Sequence, residues 1–518
     1  MKKWLALLLS LALLASMAMF PATAESSATE DVYRFPEQIT LKVAIFDRGT
    51  TGNSSPDNNA WTKWIQENFG DPRNIKIEWV VIPRTEEVDK LNALMASGEA
   101  ADISFTYTEA VVTNFVAQGG LCDLTDLIDQ YGTNLKAFLG EDLLKYGVFE
   151  GKQYAVPARR IVLADRGVFI RKDWLDKLNL SMPTTKEEFY NDLIAFRDQN
   201  PGNVEGGCIP FALNNDPTWM QIIRFSFLKD LSAKTLATVP DVAQEGFSDY
   251  LVWLNKLYNE GLISPDFALD SSNINLSDAA AGKAGVYEAN YDHPIRVSPG
   301  VQASLNATDP DALYAPLNCF ESVTDSTKYY HPQYAPNGIF VIVPIFSQHP
   351  DAAVMYLDWL SQYPTIFYLQ NGEEGVTYDL NEDGIPVLKD VEGDYHFNSM
   401  QNLDYTLTVN GQYLDDSSLL IKAQSTSYQG YSNLYQEMYE VGTTDPIVNS
   451  FHFDTVLEAD SQYNTSLTAL KKEMYVKCMM AKPEECLSLY QELLANYMAQ
   501  GGQAVMDEKI AAWDAMNP

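Results

Sequence analysis

The stretch "GVFIRKDWLDKLNLSMPTTKEEFYNDLIAF", Gly167 to Phe196, is the most regular run in the chain. Gly167 to Arg171 reads as a strand and "KDWLDKL" as a short helix. Met182-Pro183 stops that helix, because the residue before a proline is pushed out of the α region. Thr185 then opens a second helix, with Glu188 three residues on completing a capping box. Phe189, Leu193 and Phe196 recur at the spacing of one buried stripe. The run holds no histidine, no cysteine and no glycine-rich loop, so it reads as scaffold.

Upstream, the same alternation begins at Ile39, Leu41, Val43 and Ile45, a strand that runs into the loop "DRGTTGNSSPDN". A helix follows with Trp61, Trp64 and Ile65 on one face. A second strand alternates Ile75, Ile77 and Trp79, and a helix carries Val88, Leu91, Leu94 and Met95. The third strand is "ADISFTY". Strands alternating with helices predict an α/β fold with mainly parallel sheets, whose ligands sit at the carboxyl ends of the strands. Those ends are Asp47 to Asn58 and Tyr107 to Glu109. Downstream come a helix around Phe247 to Glu260, strands at Gly285 to Ala289 and Gly338 to Pro344, and a helix from Asp351 to Gln362. The last stretch, roughly Ser461 to Met516, reads as helical throughout. No linker rich in proline and glycine separates folding units, which points to two lobes joined by several crossings.

At the N-terminus, Lys2 and Lys3 precede an apolar run from Trp4 to Phe20 and the small residues Ala22-Thr23-Ala24. This is the pattern of a secretory signal peptide over residues 1–24. No cysteine lies near the cut, so no lipid attachment is expected, and the chain is placed in the cell envelope, periplasmic or extracellular. The formal net charge of −35 repels polyphosphates, so nucleic acid is excluded as a partner. Five cysteines, an odd number, make no disulfide framework. Cys478 and Cys486, either side of Lys482-Pro483, are near enough to pair, while buried idle thiols are the simpler reading.

The five histidines are scattered, with no second histidine or cysteine at metal-ligand spacing. Nucleophile-elbow, P-loop and dinucleotide glycine patterns are missing together, so no catalytic residue is assigned. The stretch "DLNEDGIPVLKD" sets Asp379, Asn381, Asp383, Gly384 and Asp390 at calcium-loop positions, but its last position lacks the glutamate and Pro386 interrupts it. A β-hairpin turning on Asp383-Gly384 is the better reading. No metal and no cofactor are expected.

Aromatics supply the positive signal, with 29 tyrosines and 9 tryptophans. Trp219 in "NNDPTWM", Tyr291 in "EANYDH", Tyr334 in "HPQYAPNG" and Tyr107 sit in loops rather than in buried stripes. Aromatic faces ringed by Asp, Asn and Arg suit sugars, whose C–H faces stack while their hydroxyls are hydrogen-bonded. For each aromatic by itself, packing is the commoner role. Arg159, Arg160 and Arg166, where the chain crosses between lobes, are candidates to hold a carboxylate or hydroxyls, or to form plain ion pairs.

These segments together resemble the carbohydrate-type extracellular solute-binding proteins of ABC importers (family 1), in particular their long lipoprotein-like oligosaccharide-binding branch. The resemblance is carried by "LMASGEAADISFTYTEAVVTNFVAQGGLCDLTDLID", by "FEGKQYAVPARR" and by the Gly167–Phe196 block. "HPDAAVMYLDWL" followed by "NGEEGVTYDL", and the closing "EECLSLYQELLANYMAQGGQAVMDEKIAAWD", extend it over most of the chain. It implies a two-lobed periplasmic-binding-protein-like fold (type II), which closes on its ligand and has no catalytic role. The expected order is a tail at 25–37, lobe 1 over 38–160, lobe 2 over 161–335, a return to lobe 1 over 336–410, and a helical segment over 411–518, mainly in lobe 2.

The ligand-binding residues expected from both readings are Asp47, Tyr107, Glu109, Arg159, Arg160, Trp219, Tyr291 and Tyr334. The partners expected are a saccharide, an oligosaccharide above all, and the permease subunits, with the chain itself monomeric. A peptide or anionic solute in the same fold is the alternative, and a secreted polysaccharide-cleaving enzyme the more remote one. Two departures from the family stand out. The lipobox cysteine of many relatives is missing. The calcium loop of some relatives falls on "DQNPGNVEGGCIP", where Asn200, Gly207 and Cys208 replace acids, so no calcium is expected there.

Overall fold

A computed structural model describes residues 32–517, apart from 51, 53–54, 217–221, 270–273, 297–299, 400–401, 429 and 449. Trp219 and the N-terminal leader lie outside the described residues. Strands Ile39–Asp47 and Ile75–Pro83 pair in parallel along their whole length, from Ile39 opposite Ile75 to Asp47 opposite Pro83. Ile103 bridges to Val43 and brings the strand Ser104–Thr106 alongside. The alternation read from sequence holds over the first half of the strand, with Leu41 and Val43 buried and Lys42 exposed, and from Val43 to Phe46 both faces are buried. Trp61, Ile65, Phe69, Tyr356 and Leu360 close over these strands as one core.

A second sheet in the same lobe has the order Val409–Asn410, Ala155–Arg160, Asn337–Ile342, Ser104–Thr106. The other lobe is built on Tyr314–Leu317, Arg166–Arg171, Ala284–Asn290 and Ile209–Ala212. Both four-stranded sheets are mixed, which corrects the expectation of mainly parallel ones. Asn337–Ile342 is antiparallel to both its neighbours, and so is Arg166–Arg171. The reason is topological. Ala155–Arg160 carries the chain out of the first lobe and Asn337–Ile342 carries it back through the same gap, so the two must run in opposite directions.

The Gly167–Phe196 block folds as read. The strand Arg166–Arg171 leads into helix Lys172–Lys177, and helix Lys186–Gln199 opens with the capping box. Thr185 Oγ1 accepts from the Glu188 amide at 3.1 Å and Glu188 Oε2 accepts from the Thr185 amide at 3.3 Å. Phe189, Leu193 and Phe196 are fully buried in the second lobe's core, with Trp174 set edge-on to Phe196. Gly285 is required there: a Cβ would lie 2.5 Å from the Phe196 ring. Thr185→Ala should lower stability by about 1 kcal/mol in chemical denaturation, because it orphans one amide of the first turn.

Helices Glu458–Met480, Pro483–Tyr497 and Gln503–Met516 form the carboxyl-terminal layer. The first two pack on helix Phe247–Asn259, whose buried Asn255 donates to the carbonyls of Cys478 and Ala481 and so satisfies the end of the first of them, while the third packs on helix Ala233–Thr238. Cys478 and Cys486 are buried there as free thiols, as are Cys122 and Cys319, while Cys208 is half-buried and free. "DLNEDGIPVLKD" forms the hairpin Tyr378–Leu380 with Pro386–Leu388, turning at Gly384 with φ of 75°. Asp379 there pairs with Lys389 and Asp383 with Lys422.

Candidate functional site

The lobes are joined where segments of the chain lie side by side. The Arg160 amide donates to the Pro336 carbonyl at 2.8 Å, Tyr334 to Leu163 at 2.8 Å and Ile161 to Asn410 at 2.9 Å. Gly411 is needed at this junction, with φ of 116° and Ile161 Cβ only 2.8 Å from where its own Cβ would stand. A fourth contact comes from the C-terminal segment. His452 Nδ1 meets Glu109 Oε1 at 2.6 Å and its Nε2 meets the Val148 carbonyl at 3.0 Å, while Thr455 donates to Glu150 at 2.7 Å.

Against the crossings lies a cavity of about 450 Å³. Arg48, Leu403 and Asn410 face it from the first lobe, Tyr291, Asp292, Arg296 and Tyr428 from the second, and Gln424 from the helix Leu420–Thr426. Arg160, Val162, Ala164 and Tyr334 of the crossings form its floor. Each polar wall is fixed by its neighbours. Arg48 makes a bidentate pair with Asp404 at 2.6 and 2.7 Å. Arg296 pairs with Asp292 at 2.9 and 2.8 Å, and Tyr428 Oη donates to the other oxygen of Asp292. Tyr428 stacks on Tyr435 at 4.7 Å, and Tyr435 shares a 2.9 Å hydroxyl contact with Tyr291.

The Arg160 guanidinium lies 4.1 Å over the Tyr334 ring, and its Nε donates to the Asn337 carbonyl at 3.1 Å. Burial pulls its pKa below the ordinary arginine value. The Tyr334 phenol is pushed up to about 12, by burial first and then by Asp165. Burial also raises Asp165, which Arg166 partly offsets. Just behind the wall, burial and then Arg296 hold His293 down to about 4, so it stays neutral at physiological pH.

Of the residues expected from sequence, Arg160, Tyr291 and Tyr334 meet at this cavity. Tyr107 stands one step behind it, its hydroxyl 3.4 Å from the Asn410 amide and Arg84 4.7 Å over its ring. Asp47 is exposed beside Arg48 and accepts from the Gly49 amide at 2.8 Å. Arg159 and Glu109 are not brought there. The Arg159 guanidinium turns back onto the carbonyl and ring of Phe138. Glu109 lines a different cavity of about 340 Å³, under the carboxyl-terminal helices. Arg166 is spent on Asp165 at 3.3 Å and on Asn290 at 2.6 Å.

Sequence reasoning did not single out Arg48, Asp292, Arg296, Asn410, Gln424 or Tyr428. Arg48 lay inside the flagged strand-end loop and Arg296 just past Tyr291, which were usable signals. Gln424 and Tyr428 carried none. Among the described residues that line the cavity, Asp292 is the only carboxylate, and it is held by Arg296 and Tyr428. Among the described residues no group of three or more His, Cys, Asp or Glu side chains is placed to hold a metal ion.

The profile of the bacterial extracellular solute-binding proteins matches residues 52–363. The chain belongs to this family. Its relatives include lipoprotein LipO of Bacillus subtilis, 29% identical over 74% of each chain. The polygalacturonan/rhamnogalacturonan-binding protein YtcQ of the same organism is 22% identical over 84% of this chain and 85% of its own. The fructooligosaccharide ABC transporter substrate-binding protein FusA of Streptococcus pneumoniae is 28% identical over 39% of this chain and 40% of its own. Among solved structures, the alginate-binding protein AlgQ2 without calcium ion aligns with a TM-score of 0.65 at 20% identity, covering 93% of this chain and 99% of that one. That likeness establishes the type II solute-binding fold for this chain.

Proposed function

We propose that this solute-binding protein captures an oligosaccharide in the cavity between its lobes and passes it, unaltered, to the membrane subunits of an ABC importer. The carrying observation is that both lobes and the crossings between them contribute walls to one cavity of about 450 Å³, within the size range of small-molecule sites. A ligand touching both walls binds the closed arrangement better than an open one, and that difference in affinity drives closure. Tyr291, Tyr334 and Tyr428 supply aromatic faces, and Asn410, Gln424 and the arginines supply hydrogen bonds for hydroxyls. Relatives named for diacetylchitobiose and fructooligosaccharide support the sugar over the peptide.

In this reading the protein is exported by its leader over residues 1–24, acts as a monomer, and uses no cofactor and no nucleic acid. Tyr107, in hydrogen-bond contact with Asn410, adds an aromatic near the ligand. The test is a thermal-shift screen against mono- and oligosaccharides, acidic sugars and peptides. A true ligand at 100 times its dissociation constant adds about 2.7 kcal/mol and should raise the melting temperature visibly. Recovery of the bound sugar intact is expected. Its cleavage over time would replace the trap by an enzyme, and a response to peptides alone would overturn the sugar.

A further inference from the structure

Three arginines face one cavity in a chain whose formal net charge is −35. Around that cavity the charges can be followed one by one. Arg48 is neutralised by Asp404, Arg296 by Asp292, and Arg166 by Asp165. Arg160 is left over. Its Nε is satisfied by the Asn337 carbonyl and its plane rests on Tyr334, but among the described residues nothing accepts a hydrogen bond from Nη1 or Nη2. Arg160 is thus the one arginine of the cavity without an ion pair in direct contact, a half-buried guanidinium with Asp165 as its nearest named carboxylate.

A half-buried cation with its terminal nitrogens unpaired in the protein is better stabilised when an anion meets it. The lowered pKa of Arg160 expresses the cost of its burial. Its planar fork is shaped for the two oxygens of a carboxylate, which it can bond together. One carboxylate matches the one guanidinium without an ion pair, whereas a phosphate dianion would exceed it. Tyr291 and Tyr428, largely buried, line the second lobe's wall and leave ring edges that a sugar, rather than a small free anion, would pack against.

We propose that the captured oligosaccharide is acidic, and that a uronate carboxylate sits on Arg160 with Arg48 and Arg296 beside it. This rests on the saccharide reading above. It makes Arg160 the residue that discriminates acidic from neutral sugars, while the tyrosines and amides serve both.

Calorimetric titration of the chain with oligogalacturonates, their methyl esters and neutral oligosaccharides of equal length tests it. Methyl esterification removes the charge and leaves the ring, so the acid should bind at least about tenfold more tightly than its ester. Arg160→Gln should erase that preference, weakening the acid far more than its ester. Other uronate oligomers, built on guluronate, mannuronate or glucuronate, replace the galacturonates if those are refused. Should Arg160→Gln fail to fold, the acid–ester comparison on the unaltered chain still decides. Neutral sugars or esters binding as tightly as acids would overturn the proposal and leave the saccharide reading intact, as would preference for a sulfated or phosphorylated sugar. Peptides binding where no saccharide does would overturn both.

Discussion

Asp404→Ala should cost about 3–5 kcal/mol of folding stability, because it removes one half of a buried bidentate pair and strands the other. The Asp404 side chain is 1% exposed and that of Arg48 23%. Burial by itself would lower the Arg48 pKa, but its bond to Asp404 outweighs this and raises it. Asp404 also accepts from Asn398 at 3.1 Å, so its loss removes a second buried hydrogen bond. Because Arg48 keeps partial access to water, the lower end of the range is expected. Asp404→Asn, which keeps an acceptor and loses the charge, should fall between. The check is the urea midpoint at constant slope. A loss under about 1 kcal/mol would put the pair in the class of exposed ones. The same variant should shrink the thermal shift given by ligand, since Arg48 is held on the cavity wall by this contact.

Asp192→Asn should stabilise the protein, and do so more as pH rises. Asp192 sits on the buried side of helix Lys186–Gln199, 5% exposed, with Oδ2 unpartnered among the described residues. Burial, and then Glu188 one turn away, push its pKa up to about 7. The unfolded chain releases this proton near pH 4. Between about pH 4 and about 7 the folded chain therefore holds a proton that the unfolded chain has lost, and stability falls as pH rises through that window. Asparagine carries no such penalty. The variant's advantage should grow from nothing below pH 4 to at most about 4 kcal/mol above pH 7, then stay constant. Denaturation midpoints measured from pH 4 to 9 check this, and a gap that does not change with pH would show that Asp192 ionises normally in the fold.

The periodicities that were read correctly are those set within a few residues. The capping box at Thr185, the stripe Phe189–Leu193–Phe196 and the alternation around Leu41 and Val43 are local. Each is enforced by backbone geometry wherever the element is placed. The hairpin at Asp383-Gly384 was legible for the same reason, since the turn needs a residue at positive φ. Strand direction was not legible in this way. Alternation of helix and strand implied parallel pairing, and only the shared gap through which the chain leaves and returns made Ala155–Arg160 and Asn337–Ile342 antiparallel.

The site divides along the same line. Strand-end position and aromatic composition led to Tyr291 and Tyr334, and the crossing led to a pair of adjacent arginines. Successive residues of a strand face opposite sides, so one of Arg159 and Arg160 had to turn away. Which one turned depended on the carbonyl of Phe138 on one side and the ring of Tyr334 on the other. Arg48, Arg296, Gln424 and Tyr428 join them from segments far apart in the chain, through contacts that no local pattern encodes. The amino-acid sequence by itself thus determined the class of fold and the local elements of the second lobe, because short-range periodicity and capping fix those, and its resemblance to known sequences supplied the family. Only the tertiary structure decided which charges are paired and which one is left over, because ion pairing depends on residues such as 48 and 404 that folding alone brings together.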